Sequence, residues 1–429
     1  MIRLPSKFTP LQSRRLHELA SRADWLALGV ESLLLCIGVA FIYGAGVEVG
    51  GELSSKWLHQ LIWIAMGFAA YVVIAAIDYR FWCRHGWKSY LLAIALLVYV
   101  LLFGKTLNNT RGWMQLPGVG FRLQPVEVAK PMILLFLAWL ATLPVLRHSW
   151  MKKWLPAILI ALATALPVAL ICLQPDVGTA MVFIPVMLVL VLLVGIPWRY
   201  FAIAALAMML LAPVLYLKMK PYQKDRVNVF IEAPLRGGLD AARAILPEGA
   251  GLRLEKAIDR FLHGNGEEAD GRRHKPDDWN ARQSLLAVGS GGIYGKGYLH
   301  GTQHVLGYLP KTIAPTDFIF SVIAEETGFI GSVVLLGLFA CLILSFGRTA
   351  LAAADPLGTH LVAGVIVFFA THIVVNISMT IRAAPIVGIP LPFVSYGGSF
   401  MLGTMALAGL VQSVQLHNTP PTADDGENG

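Results

Sequence analysis

Apolar runs of about twenty residues, separated by short polar or basic stretches, dominate this 429-residue chain. A helix that crosses a bilayer needs about 20 mainly apolar residues. Runs centred near Leu35, Ala69, Leu96, Leu135, Leu162, Leu188, Ala205, Leu335, Ile366 and Leu407 meet that need. The pattern predicts an all-α polytopic membrane protein with about ten transmembrane helices. Residues 1–24 form a basic N-terminus, 25–217 hold the first seven helices, and 218–316 form one large external loop between the seventh and eighth. Helices eight to ten occupy 317–416, and 417–429 form a short polar tail.

Composition agrees, because 56% hydrophobic and 14% charged residues exclude a water-soluble domain of ordinary usage. Cations set the expected orientation. Lys7, Arg14, Arg15 and Arg22 precede the first run, Arg80, Arg84 and Lys88 follow the second, and Arg147, Lys152 and Lys153 follow the fourth. The positive-inside rule makes these faces cytoplasmic, with both termini inside and the segments around Trp113, Asp176 and Arg382 outside. The N-terminus is too long for a signal-peptide basic region, so the first helix reads as a retained anchor. A formal charge of +8 suits inside-positive loops and anionic lipid headgroups, and nucleic acid is not needed to explain it. Four cysteines show neither a disulfide pattern nor metal-ligand spacing.

Within the large loop, Leu252, Leu254, Ala257, Ile258, Phe261 and Leu262 could share one face of a surface-lying amphipathic helix, or of a plain solvated spacer. From Gly264 to Asp278 the chain turns strongly polar and reads as flexible.

Chemistry is sought where charge meets the apolar runs, since an ionisable group in the bilayer costs several kcal/mol unless paired or wet. Glu127 and Lys130 are three apart at the start of the fourth run, so they share a helix face as a structural ion pair or as part of a site. Asp317 opens the eighth run after Pro315 and Thr316. Either it caps that helix, or Thr316 does so and leaves a half-desolvated carboxylate free to act as a base. Glu325 and Glu326 lie amid apolar neighbours and require a cation or a hydrogen-bond network. Asp176 stands where the sixth helix needs an N-cap. The glycine run Gly289 to Gly297 fails the nucleotide-loop pattern, since Gly297 replaces the magnesium-holding Ser or Thr. Its amides could still receive a phosphate, or its glycines could simply form tight turns. Gly388 to Ser399 places two prolines, two hydroxyls and paired glycines at the mouth of the last helix. Broken backbone at membrane depth is tolerated only against protein or a wet cavity, so this segment reads as the wall of a site. No metalloprotease pair, Cys-x-x-Cys set, dinucleotide fingerprint or nucleophile elbow is present.

Taken together, the motifs resemble the SEDS family of cell-wall proteins, the RodA and FtsW glycosyltransferases. The blocks are Thr110-Arg111-Gly112-Trp113, Gln124-Pro125-Val126-Glu127-Val128-Ala129-Lys130 and Gln174-Pro175-Asp176-Val177-Gly178-Thr179-Ala180. Gln283-Ser284, Gly289 to Gly297, Thr316-Asp317-Phe318-Ile319-Phe320, Ala324-Glu325-Glu326 and Gly388 to Ser399 follow in the family's order. Gly301-Thr302-Gln303 and Leu309-Pro310 look more like the RodA branch of elongation than the FtsW branch of division.

The resemblance implies an inverting peptidoglycan glycosyltransferase that polymerises lipid II, the undecaprenyl-pyrophosphate-linked donor, on the outer face of the bacterial inner membrane. It implies Asp317 as the catalytic carboxylate, acting as general base or holding a divalent cation such as magnesium or manganese. Arg111, Trp113, Glu127, Lys130, Lys296, Gln283, Ser395 and Tyr396 are the implied substrate or pyrophosphate site. A class B penicillin-binding transpeptidase and other elongation-complex membrane proteins are the implied partners. The other readings are a lipid II flippase and a noncatalytic scaffold. Three features depart from the pattern: Pro315 replaces a His, Arg382 replaces a small residue, and the external loop carries an insertion around Leu235 to Lys275. Arg382 could add an anion contact, in which case Arg382→Ala weakens substrate binding.

Overall fold

Inside a bilayer every backbone N–H and C=O must be satisfied within the chain, and an apolar run does this most simply as a helix. The computed structural model describes residues 21–47, 55–107, 110–115, 122–143, 154–218, 239, 250, 253–257, 276–309 and 313–418. In chain order the elements are α1 (Trp25–Val47), α2 (Lys56–Ala76), α3 (Tyr79–Arg84), α4 (Gly86–Phe103), β1 (Lys105–Leu107), β2 (Thr110–Gln115), β3 (Arg122–Leu123) and α5 (Pro125–Thr142). Then come α6 (Trp154–Leu173), α7 (Val177–Leu193), α8 (Trp198–Lys218), α9 (Pro276–Ser290), α10 (Thr302–Val305), α11 (Ile319–Ala352), α12 (Pro356–Thr380) and α13 (Gly398–Leu416).

All ten expected run centres fall on helices, but among the described residues eight helices are long and apolar enough to span: α1, α2, α4, α5, α6, α11, α12 and α13. The apolar helix α7 has 17 residues, and the apolar part of α8, Trp198–Leu211, is shorter still. At 1.5 Å per residue α7 covers about 25 Å, short of the roughly 30 Å hydrocarbon core. The all-α expectation also misses a small antiparallel sheet of order β1-β2-β3, with Lys105 opposite Trp113 and Gln115 opposite Arg122. Pairing of these short strands satisfies their backbone groups within the connection between two helices.

Of the expected loop features, the amphipathic stretch is helical at 253–257, with Leu254 and Ala257 exposed, and the remainder lies outside the described residues. The flexible reading of 264–278 fails at its end, because Pro276 opens α9, where its fixed φ suits the first helical position. Lys7, Arg14, Arg15, Arg147, Lys152, Lys153 and the 419–429 tail lie outside the described residues.

The chain forms two compact units, Met1–Ile196 with Val333–Ile373 and Ile389–Gly429, and Pro197–Ser332 with Val374–Gly388. In the first, α13 is the interior helix: 83% of its apolar window is buried, against 22% for α4. It packs along α2 and α5. Glycine permits the approach to α5, since a Cβ at Gly403 would stand 2.6 Å from the Glu127 carbonyl oxygen.

A polar clasp closes one end of this unit. Asp355, just before α12, accepts from the Tyr79 hydroxyl and Arg80 Nε, both at 2.8 Å, and from the Gly358 amide at 2.8 Å. Arg80 also reaches Asp78 (3.3 Å) and the His417 carbonyl (3.4 Å), which ties α3, α12 and α13 together. Burial alone would raise the Asp355 carboxyl, but these hydrogen bonds and the guanidinium charge outweigh it and hold the group below the ordinary carboxylate value. A depressed native value stabilises the fold above the unfolded value, about 3.9 for Asp. That stabilisation is lost as pH falls through the lowered native value. Acidification from pH 7 should therefore lower the thermal unfolding midpoint of the native chain, and Asp355→Asn should start lower and fall less over the same range.

Candidate functional site

In the second unit the backbone turns sharply before α11. The amides of Thr316, Asp317 and Phe318 all donate to the Ile313 carbonyl, at 3.1, 3.0 and 3.3 Å. The helix ladder opens at Phe318, whose carbonyl accepts from Ser321 and Val322. Asp317 thus precedes the N-cap position that a capping role requires, and the Thr316 hydroxyl turns back to the Ile313 carbonyl at 3.0 Å. Asp317 is half-buried. Its Oδ2 lies beside Gly388, at 3.7 Å from where a Cβ would stand, and Gly388 has a φ of 68°. Its main-chain carbonyl accepts from Asn376 Nδ2 at 2.9 Å.

Glu325 and Glu326 answer the demand for partners. Glu325 accepts from Lys296 Nζ at 2.5 Å, from the Thr302 amide and hydroxyl at 2.8 and 2.9 Å, and from the Gln303 amide at 3.1 Å. Glu326 accepts from the Leu299 amide at 3.1 Å. The glycine run lies against this pair. The Gly295 amide closes a tight turn on the Gly291 carbonyl at 2.8 Å, while the Lys296 and Gly297 amides donate to the Glu325 and Glu326 carbonyls of α11 at 3.0 and 2.9 Å, so these three amides serve the fold rather than a phosphate. Gly328, with φ 69° and ψ −160°, breaks α11 so that the Phe329 and Ile330 amides reach the Gly292 and Ile293 carbonyls. Lys296 is a partly exposed cation with one carboxylate already on it. Gln283 is buried in α9 beside Ser284.

In the first unit Lys130 Nζ donates to both oxygens of Glu127, at 2.6 and 2.8 Å, and both residues are buried. The pair therefore does not meet water directly. His372 Nε2 lies 3.5 Å from the same ammonium, and the Phe368 and Phe400 rings lie 5.3 and 5.6 Å from it. Because His372 Nδ1 donates to the Phe368 carbonyl at 2.9 Å, Nε2 presents its lone pair to Lys130.

The expected motifs knit together here. Asp176 caps α7 through the Thr179 amide at 3.0 Å and accepts from Gln124 Nε2 at 3.2 Å, while the Gln124 amide donates to Ser399 Oγ at 2.8 Å. The proline loop is ordered from within by Ser395 Oγ, which accepts from the Leu391 amide at 2.8 Å. From α2, Gln60 donates to the Ser395 carbonyl at 3.2 Å and accepts from the Gly397 amide at 3.3 Å. Lys56 lies 5.3 Å over the Tyr396 ring. Trp113 is half-buried in β2; Arg111 is in the same strand, and its side chain lies outside the described residues. Arg382 follows α12 with φ 60°, in the left-handed region that glycine adopts at no steric cost.

Gln60, Lys56, His372 and Asn376 were not singled out from sequence. Polar residues inside apolar runs were the available signal. Among the described residues no three His, Cys, Asp or Glu side chains form a metal-holding group.

The family model for FtsW, RodA and SpoVE, described as cell cycle protein, matches residues 24–245 and 254–420. Peptidoglycan glycosyltransferase RodA of Treponema pallidum (strain Nichols) is 32% identical over 431 residues, covering 91% of this chain and 97% of that protein. Peptidoglycan glycosyltransferase MrdB of Escherichia coli (strain K12) is 32% identical over 391 residues, covering 90% and 93%. A solved chain described under "Structural coordination of polymerization and crosslinking by a peptidoglycan synthase complex" superposes with TM-score 0.67 at 26% identity, covering 92% of this chain and 97% of its own. Thermus thermophilus rod shape determining protein RodA shares the fold, with TM-score 0.61 at 24% identity and coverage of 93% and 98%.

Proposed function

Because the chain belongs to the FtsW/RodA/SpoVE family of cell cycle proteins and is a RodA-like peptidoglycan glycosyltransferase, we propose that it polymerises lipid II with Asp317 as the general base. In the proposed step an acceptor sugar hydroxyl attacks the anomeric carbon of the donor. The new carbon–oxygen bond forms as the bond to the lipid pyrophosphate breaks, with inversion, and the hydroxyl proton passes to the Asp317 carboxylate. The observation that carries this reading is the setting of Asp317, a half-buried carboxylate held on a rigid turn with a glycine in front of Oδ2. A group so held needs little reorganisation to meet a hydroxyl.

The donor's pyrophosphate calls for cations, and Arg111 and Lys296 are assigned to it; an arginine can fork two phosphate oxygens, while a lysine offers a point charge. Lys296 would share its proton donors with Glu325. Trp113 and Tyr396 are assigned to substrate positioning, and Gln283 and Ser395, which are buried, to ordering the chain around the site. Glu127 and Lys130, being buried, are assigned to holding α5 rather than to direct contact. A magnesium or manganese ion on the pyrophosphate could take Asp317 as a ligand, since such ions are commonly held by one or two carboxylates with substrate phosphates. The basic segments support a reading with both termini in the cytoplasm, and the reaction is assigned to the outer face of the inner membrane. A class B penicillin-binding transpeptidase and the elongation-complex membrane proteins are the proposed partners.

The test is a gel assay of glycan formed from labelled lipid II by the purified chain with its transpeptidase bound. A ladder of polymer is expected. No polymer, together with translocation of labelled lipid II across vesicles, would replace the enzyme by a flippase.

A further inference from the structure

Resting on the reading of Asp317 as the base, we propose that Asn376 is its positioning residue, acting through the main chain of Asp317 rather than on substrate. Asn376 is fully buried in the apolar helix α12. An amide in such a place costs free energy unless its hydrogen bonds do something for the structure. Its Nδ2 donates at 2.9 Å to the carbonyl of Asp317. That carbonyl precedes the α11 ladder, because the Ser321 amide turns to Phe318 instead, at 3.0 Å. The Asp317 amide is held in turn by Ile313 at 3.0 Å. Both main-chain polar groups of the base are therefore pinned.

A second tie lies one helical turn further along both helices. Ser284 gives its one hydroxyl proton to the Thr380 carbonyl at 2.7 Å, so Ser321 must donate to Ser284 Oγ at 2.6 Å. Ser321 follows Asp317 by four residues, and Thr380 follows Asn376 by four. All three side chains are buried. The serine tie holds the helices together, and the Asn376 tie decides where the turn carrying the base sits. Loss of Asn376 should then leave the helices joined and let the carboxylate drift.

The experiment measures lipid II polymerisation kinetics and hydrogen exchange on Asn376→Ala, Asn376→Leu and Asp317→Asn in the full chain with its transpeptidase bound. A misplacement of the order of 1 Å can cost about 10²-fold. Asn376→Ala is expected to lose about that much in kcat with KM little changed, and to exchange faster only over 313–321. Asn376→Leu, which has nearly the same shape but no hydrogen-bond donor, should behave alike and carries the test if the alanine variant does not purify. An inactive Asp317→Asn beside a native kcat in the Asn376 variants would overturn the positioning role and leave the base standing. Faster exchange throughout 276–332 with kcat and KM both impaired would make Asn376 merely structural and also overturn it. Native activity in Asp317→Asn would remove the base reading itself.

Discussion

Asp317→Asn is expected to lower polymer formation by roughly 10²–10⁴-fold, the usual contribution of a positioned general base, while folding and partner binding stay as they are. The substitution is nearly isosteric, and the main-chain bonds from the Asp317 amide to Ile313 and from Asn376 to the Asp317 carbonyl do not involve the carboxylate. The residue stands ahead of the helix N-cap. The reaction should therefore change far more than stability. Labelled lipid II polymerisation, run beside a thermal unfolding scan and co-purification of the transpeptidase, separates the two. A variant that polymerises like the native chain would leave the enzyme but deprive Asp317 of its role. A variant that unfolds early would mean the carboxylate serves the fold.

The second large effect concerns the buried pair. Removing one partner strands the other charge away from water, at a cost of about 3–5 kcal/mol. Glu127→Gln or Lys130→Met alone should thus sharply lower Tm, the lysine change also leaving His372 Nε2 without its cation. Replacing both at once removes both desolvation costs, and such double replacements are often neutral or better. Glu127→Gln with Lys130→Met should therefore recover most of the lost stability. Activity then decides the role. A stable double variant that polymerises lipid II makes the pair a support for α5. A stable but inactive one makes it part of the site, contrary to the assignment proposed from its burial.

How far the site could be read along the chain depended on sequence distance. Glu127 and Lys130 are three residues apart, so helix geometry alone predicts that they meet, and they do at 2.6 Å. Asp176 sits three residues before the amide it caps, again a local matter. The partners of Glu325 could be required on energetic grounds but not named, because Lys296, Thr302 and Gln303 lie more than twenty positions away and reach it by a loop folded on its glycines. Gln60 and Ser395 are 335 positions apart, and Asn376 and Asp317 are 59 apart; no periodicity encodes either contact. The sheet at 105–123 escaped for another reason, since its strands are two to six residues long and carry too few positions for alternation to show.

By itself, the sequence determined the class of protein, the placing of its helices and the residues in which charge meets the apolar runs, because transfer of side chains and backbone from water to lipid is a local and additive cost. Packing between distant segments settled that Lys130 meets His372, that the Lys296 and Gly297 amides go to α11, and that Asn376 holds the turn of Asp317. Those outcomes turn on hydrogen bonds between distant segments. Such bonds are chosen when helices dock and buried polar groups must find partners within reach.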